Sequence, residues 1–355
     1  MNLQNLGEFG LIEHLRTRLP QSLTGAPGVV QGIGDDAAVL GALNTPIVTC
    51  DALIEGVHFR RDWTPPFLLG RKAMAVNLSD LAATGATPVA AFVALGISTP
   101  FADEDGALQW LEAMYDGLQS MCDEFHFTVA GGDTTRTSRE IMISITMIGD
   151  IEGGCQKAGA PILRSSAKAG NAILVTGNLG DSAAGLFLLQ HPEVQVSAST
   201  RETLSQRHFN PTPRLNEMRA ALSSHEGSTP FMAALDLSDG LSGDAFHIAA
   251  QSNVAMQIET SRLPISPACL EAAGAARDAG FSIQAEEWAL SGGEDYELLL
   301  CAAPESVETI AHAVEKETGT QITQIGNCFP GDSPVVTLLN AEGKTEIAPR
   351  AWTHF

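Results

Sequence analysis

The stretch "FLLGRKAMAVNLSDLAATGATPVAAFVALGI", residues 67–97, joins two periodicities. Its first twenty positions carry a long helical pattern, and "VAAFVALGI" is a short, continuous apolar run of the kind a buried strand shows. Upstream, "PIVTCD" reads as a β-branched strand ending on Asp51, followed by the loop "ALIEGVHFRRDWTPP". Before it, Leu6, Phe9, Ile12, Leu15 and Leu19 recur at helical spacing and predict a short helix ending at Pro20. Downstream come a helix, "EDGALQWLEAMYDGLQSMCDEF", a strand into a glycine turn, "FTVAGGD", and a strand, "IMISITMIGD". This alternation over residues 30–150 specifies an α/β or α+β domain.

A chain of 355 residues exceeds one ordinary core, and "AGAPILRSSAKAGNAILVTG" reads as a junction. The expected division is 1–150 and 151–355. The second part is also mixed: helix "DSAAGLFLLQ", strand "MAALDL", helix "GDAFHIAAQSN", strands "VAMQIE" and "YELLLCA", helix "PESVETIAHAVEKETG", strand "QITQIGN". Each half holds a Gly-Gly-acid segment beside a strand, "AGGDTT" and "SGGEDYE", which leaves internal duplication open.

Composition narrows the function. Hydrophobic residues make up 44% and charged residues 17%, a well-cored globular balance. The net charge of −22 argues against nucleic acid or an anionic membrane as partner, since both need basic patches. Small anions remain admissible where divalent cations bridge them. The cysteines at 50, 122, 155, 269, 301 and 328 form no CxxC and no zinc spacing, so free thiols in a reducing cytoplasm are expected. No apolar run reaches the roughly 18 residues of a membrane span.

The acids carry the chemistry. "GIGDDAAVL" sets Asp35 and Asp36 side by side; at about 4 Å and an effective dielectric near 20, two like charges cost roughly 4 kcal/mol. Further acids stand in "VTCDALIEGVHF", "NLSDLAATGATP", "AGGDTT", "DLSDGLSGD" and "SGGEDYE". Any one of these is ordinary turn or cap chemistry. Together, carboxylates beside Gly and Ser suit oxygen-coordinated cations, chiefly Mg²⁺ that also takes substrate phosphates. An EF-hand counted from Asp236 fails, with Leu241 at position 6 and His247 at position 12. There is no P-loop and no kinase HRD/DFG set. Residue chemistry alone reaches Mg²⁺-dependent phosphate or nucleotide chemistry.

The ordered blocks "GIGDDAAVL", "TCDALIEGVHF", "RKAMAVNLSDLAATGATP", "VAGGDTTR", "TGNLGDSAAGL", "LDLSDGL", "SGGEDYEL" and "WTHF" closely resemble the thiamine-monophosphate kinases. These are a branch of a group that includes the aminoimidazole ribonucleotide and selenophosphate synthetases. The resemblance runs from about residue 6 to residue 355 and implies an α+β chain. That chain has two mixed α/β domains of the aminoimidazole ribonucleotide synthetase-like (PurM-like) fold, with the N-terminal sheet pairing in a homodimer. It implies ATP-dependent phosphorylation of thiamine monophosphate to thiamine diphosphate, with several Mg²⁺ ions and in-line transfer. The acceptor is already a phosphate oxygen, so no general base or covalent nucleophile is called for.

Carried over by position, Asp36, Thr49, Asp51, Asp80, Asp133, Asp236 and Asp239 resemble metal ligands, with Cys50 contributing through its carbonyl. Asp35 either joins the metal site or holds the loop. Gly132, Asp133, Arg164 and Ser238 resemble ATP contacts; His58, Glu294 and Trp352 resemble the acceptor site. The plainer readings are a loop histidine for His58, a surface ion pair for Arg164 and C-terminal packing for Trp352. Two blocks depart from the family pattern. "KAGN" (168–171) stands where "KPGD" is usual, and Ala351-Trp352-Thr353-His354-Phe355 where Gly-aromatic-Asp-His-Phe is usual. The alternatives are another ATP-using enzyme of the group, or a nucleotide- or metal-binding protein without turnover.

Overall fold

The computed structural model describes residues 3–20, 28–33, 36–151, 160–225, 232–331, 333–341 and 343–347. Asp35 and Trp352, along with the terminal "WTHF", lie outside the described residues. The chain divides into two compact units, Met1–Leu81 with Ala86–Ile151, and Ala82–Gly85 with Glu152–Phe355.

In the first unit the order is α1 (Leu3–Arg16), β1 (Val29–Gln31), β2 (Val39–Leu40), β3 (Pro46–Ile54), α2 (Pro66–Thr84), β4 (Thr87–Ser98), α3 (Thr99–Ala102), α4 (Ala107–Phe125), β5 (Thr128–Thr137) and β6 (Met142–Asp150). The residues of α2 from Ala82 onward belong to the second unit. β1 and β2 form a small antiparallel ribbon. The main sheet runs β3-β6-β4-β5. β6 pairs antiparallel with both β3 and β4, while β5 lies parallel to β4. That parallel pair requires a crossover, which α4 supplies. α4 forms because Leu108, Leu111, Met114, Tyr115, Leu118, Met121 and Cys122 recur on one buried face. It stops at His126, whose left-handed φ of 60° caps it.

Two expectations fail here. Asp51 does not end its strand, because β3 continues in register with β6 as far as Ile54 opposite Met142. Nor is "AGGD" a turn: Gly131, Gly132 and Asp133 lie inside β5, opposite Phe92, Val93 and Ala94 of β4. Asp and Gly are poor strand formers, but continuous ladder pairing overrides that weak preference.

The second unit contains β7 (Ala172–Thr176), α5 (Asp181–Gln190), α6 (Ala198–Phe209), α7 (Leu215–Ser223), β8 (Met232–Asp236), α8 (Leu241–Ser252), β9 (Ala255–Glu259), α9 (Pro267–Asp278), α10 (Ala285–Ser291), β10 (Leu298–Ala302), α11 (Val307–Thr318), β11 (Ile322–Phe329), β12 (Val335–Asn340) and β13 (Gly343–Glu346). Its sheet runs β13-β12-β9-β11-β7-β10-β8. All residues of β7, β8 and β10 are buried, as expected for strands covered on both faces. One core joins β7, β8 and β10 to Leu241, Ala245, Ile248 and Ala249 of α8. Another gathers Phe187 and Leu188 of α5, Leu204 of α6, Cys269 of α9 and Trp288 of α10.

Candidate functional site

In the first unit Thr49 and Asp51 of β3 meet α2. Thr49 Oγ1 donates a short hydrogen bond to Asp80 Oδ2. Two residues along, the Asp51 N–H donates to Asn77 Oδ1 at 3.2 Å, and the Asn77 amide donates back to the Ala73 carbonyl. Asn77 and Asp80 are three apart and so lie on one face of α2. Thr49 and Asp51 share one face of β3, and Cys50 points to the other. There the Cys50 sulfur accepts from Thr146 Oγ1 at 3.4 Å and lies 3.7 Å from Ser144 Oγ. Only the Cys50 carbonyl is therefore available as a hard donor beside Thr49 and Asp51.

A cavity of about 490 Å³ in the same unit is lined by Asp36, Gly132 and Asp133, with Phe92, Tyr115 and Ala130. Gly132 has φ 155°, and a Cβ there would sit 2.0 Å from the Val93 carbonyl oxygen. Only glycine lets β5 run this close to β4. Tyr115 has no place in the expected set; in sequence it is one more apolar helix position. Burial pushes its hydroxyl up to about 12. His58 accepts the Ile54 N–H at its Nδ1, 3.1 Å away, so the neutral ring carries its hydrogen on Nε2.

In the second unit, Asp236 closes β8 and is buried. Beyond it the chain is zipped to the segment 294–297. Leu237 N–H donates to the Glu297 carbonyl at 2.7 Å, Tyr296 N–H to Leu237 at 2.8 Å, and Glu294 N–H to Ser238 at 2.7 Å. Glu294 and Tyr296 both take left-handed φ values, 67° and 50°. Non-glycine residues held there cost of order 1–3 kcal/mol each and cluster where function needs a fixed geometry.

That twist separates the acids of "GGEDYEL". Glu297 is fully buried and accepts from Arg207 at 2.6 Å, from two nitrogens of Arg214 at 2.7 and 2.6 Å, and from Thr176 Oγ1 at 2.6 Å. Asp295 accepts the Gly180 and Ser182 N–H groups at the start of α5, at 2.7 and 3.3 Å. Burial pushes its carboxyl up to about 8, against those two donors. Glu294 alone of the three keeps a partly exposed side chain. His208 Nδ1 lies 3.3 Å from its Oε2 and 3.1 Å from Ser182 Oγ. His208, an ordinary histidine by sequence, thus touches a candidate acceptor residue. Its position at the end of a largely polar helix gave no signal.

Asp239 and Gly240 present their N–H groups to Asp244 Oδ2, each at 3.1 Å. Arg164 opens a short 3-10 turn, and its carbonyl accepts from Ser252 Oγ at 2.7 Å. Among the described residues it forms no ion pair, which leaves the guanidinium to other partners. No three His, Cys, Asp or Glu side chains among the described residues stand together so that they could hold a metal ion. The Thr49 hydroxyl and Asp80 carboxylate are oxygen donors of the kind Mg²⁺ accepts beside waters and phosphate oxygens. No described helix is long and apolar enough to cross a membrane.

The family model for the AIR synthase related protein N-terminal domain matches residues 34–151, and that for the C-terminal domain matches 168–338. A thiamine-monophosphate kinase of Salmonella typhimurium is 39% identical over 323 residues, covering 90% of each chain. One from Bacillus subtilis is 32% identical over 354 residues, covering 99% of this chain and 100% of its own. Among solved structures, thiamine-monophosphate kinase from Stenotrophomonas maltophilia superposes with a TM-score of 0.75 at 34% identity, covering 94% of this chain and 96% of that one. AaThiL complexed with AMPPCP and TMP gives 0.71 at 30% identity, covering 100% and 99%. The Escherichia coli hydrogenase maturation protein HypE shares the fold, with a TM-score of 0.74 at 17% identity over 97% and 98%.

Proposed function

Since this chain belongs to the AIR synthase related family, among its thiamine-monophosphate kinases, we propose that it moves the γ-phosphoryl of ATP directly to the phosphate of thiamine monophosphate. The products are thiamine diphosphate and ADP. One observation supports this chemistry: Thr49 Oγ1 of β3 meets the Asp80 carboxylate of α2, and the Asp51 backbone beside it is bonded to Asn77 on the same helix. The complex of AaThiL with AMPPCP and TMP, whose match spans the whole of this chain, supports the reading.

In this reading Asp36, Thr49, the Cys50 carbonyl, Asp51, Asp80, Asp133, Asp236 and Asp239 hold Mg²⁺. Bound there, the cations would neutralise phosphate charge and align the acceptor oxygen with the leaving group. Gly132 lets backbone approach a phosphate, and Arg164 offers a bidentate fork to a phosphate oxygen pair. Ser238 supplies a hydroxyl to ATP. His58 donates from Nε2 to the acceptor, Glu294 accepts from it, and Trp352 stacks on its ring. Residues 1–150 form the metal-binding, substrate-binding and dimerising domain, and 151–355 the second domain. The working form is a cytoplasmic homodimer. The described cysteines, all free, fit a reducing compartment.

The test is incubation with ATP, Mg²⁺ and thiamine monophosphate, with chromatographic detection of thiamine diphosphate. Folded protein that binds ATP yet forms no thiamine diphosphate would sink the reading.

A further inference from the structure

The last residue of "DLSDGLSGD", Asp244, has no part in the ligand set above. It is 2% exposed and lies in the first turn of α8. Burying a carboxylate costs several kcal/mol unless specific donors meet it. Here both donors are backbone N–H groups, from Asp239 and Gly240, and both converge on one oxygen, Oδ2. The bonding is reciprocal, because the Asp244 N–H donates to the Gly240 carbonyl at 3.0 Å.

The latch closes on Gly240. It is the N-cap of α8 with φ 113° and ψ 140°, and no side chain caps the helix from that position. A Cβ at Gly240 would come within 2.9 Å of the Ser291 carbonyl carbon. A side-chain cap at 240 is therefore excluded, and Asp244 makes the reverse bond instead, reaching back from the first turn to the N–H groups of Gly240 and Asp239 as the acid of a capping box does. On its other side the turn is pinned by Glu294 N–H to the Ser238 carbonyl and Tyr296 N–H to the Leu237 carbonyl. Remove the Asp244 carboxylate and the Asp239 and Gly240 N–H groups lose the oxygen on which they converge.

We propose that Asp244 is a positioning residue for phosphoryl transfer: its Oδ2 latches the Asp239–Gly240 turn and so fixes the direction of the Asp239 carboxylate and the Ser238 hydroxyl. The inference rests on the roles proposed above for Asp239 and Ser238. Arg164 is tied to the same helix, because its carbonyl accepts from Ser252 Oγ of α8 at 2.7 Å.

Convergence on a single oxygen makes the idea testable with the full chain. Asp244→Asn keeps one carbonyl oxygen for both N–H groups, whereas Asp244→Ala keeps none. Two quantities are read: amide exchange of the peptide spanning 237–241, and half-saturation by Mn²⁺ in the presence of ATP, followed by electron paramagnetic resonance. In Asp244→Ala the peptide loses protection and half-saturating Mn²⁺ rises on the order of 10–100-fold, the usual effect of losing a group that orients a ligand. KM for thiamine monophosphate stays near wild type, and Asp244→Asn restores both readouts to within about 3-fold. If the alanine variant does not fold, Asp244→Glu, with its oxygen displaced by one methylene, takes its place with the same expected direction. Wild-type Mn²⁺ affinity in the folded latchless variant overturns the proposal, as does an asparagine variant as impaired as alanine. Wild-type protein that binds no Mn²⁺ with ATP removes the functional reading; the exchange measurement then still decides whether the latch exists.

Discussion

Glu297→Gln should destabilise the second unit by about 3 kcal/mol, the low end of the 3–5 kcal/mol lost when one partner of a buried ion pair is removed. The structure sets that position in the range. Glu297 is fully buried, and its two oxygens take three guanidinium hydrogen bonds and one from Thr176. Glutamine keeps the shape and one acceptor oxygen, but it loses the charge and turns an amide NH₂ toward a guanidinium. Arg214 is not wholly orphaned, because Glu217 at 2.9 Å and Thr320 at 3.3 Å still accept from it. The Arg207 side chain is 22% exposed and can recover water. Those two compensations hold the loss near the low end. At roughly 2–4 °C per kcal/mol for a body of 150–250 residues, the melting temperature falls by about 6–12 °C. Urea unfolding of wild type and variant gives the free-energy difference directly. The triple variant Arg214→Met, Glu217→Gln and Glu297→Leu should recover part of the loss, because it leaves no buried charge unpaired and Arg207 can reach water. A loss below about 1 kcal/mol, the scale of an exposed pair, would refute the argument.

Three other outcomes are expected. Asp80→Asn removes the charge opposite Thr49, and thiamine diphosphate formation should fall at least about 100-fold, the effect of losing a metal-site interaction worth roughly 3 kcal/mol; near-normal turnover at limiting Mg²⁺ would show the metal assignment to be wrong. Gly132→Ala drives a methyl into the Val93 carbonyl, 2.0 Å away. Its strand must move, and ATP affinity measured by calorimetry should drop together with thermal stability. Burial holds the Asp295 carboxyl up to about 8 in the folded chain, against about 3.9 unfolded. Its stability contribution is therefore complete below about pH 4 and is lost as pH rises through about 8. Relative to Asp295→Asn, wild type should weaken steadily across that window in denaturant titrations, and parallel curves would remove the premise.

Much of the fold is legible because it rests on period and length. The helix and strand within residues 67–97 fall at Pro66–Thr84 and Thr87–Ser98, and "DSAAGLFLLQ" is α5 from end to end. The signal fails where packing rather than pattern decides. α6, read off as "ASTRETLSQRHF", is mostly polar, and only Leu204, Phe209, His208 and Thr200 are buried. A local cue to it exists in Ser197, whose side chain accepts the Thr200 N–H. α9 announces itself in the same way through Ser266 followed by Pro267, an N-cap with proline at the first helical position. Asp51 and Asp133 sit at strand interiors because neighbouring strands continue past them, and a single sequence does not show its partner strand.

The candidate site was legible as a set of acids but not as a division of labour among them. In "GGEDYEL" three acids fall within four residues, and nothing in their spacing tells them apart. The distinction is made by donors brought from elsewhere in the chain. Glu297 is neutralised by arginines at positions 207 and 214, whereas Asp295 takes N–H groups at 180 and 182 and Asp244 those at 239 and 240. At Asp295 burial outweighs its donors and the carboxyl stays raised, while at Asp150 the donors of Asn44 and Thr45 outweigh burial and hold it below the usual range. An acid engaged in this way ties two segments of the chain together. Asp80, by contrast, accepts from the side chain of Thr49 on β3, which orients the carboxylate. Motif position alone does not tell such acids apart: Asp239 and Asp244 share one motif, yet the Asp244 carboxylate takes the Asp239 and Gly240 N–H groups, and the proposed roles make one the cation's ligand and the other the support of its neighbour.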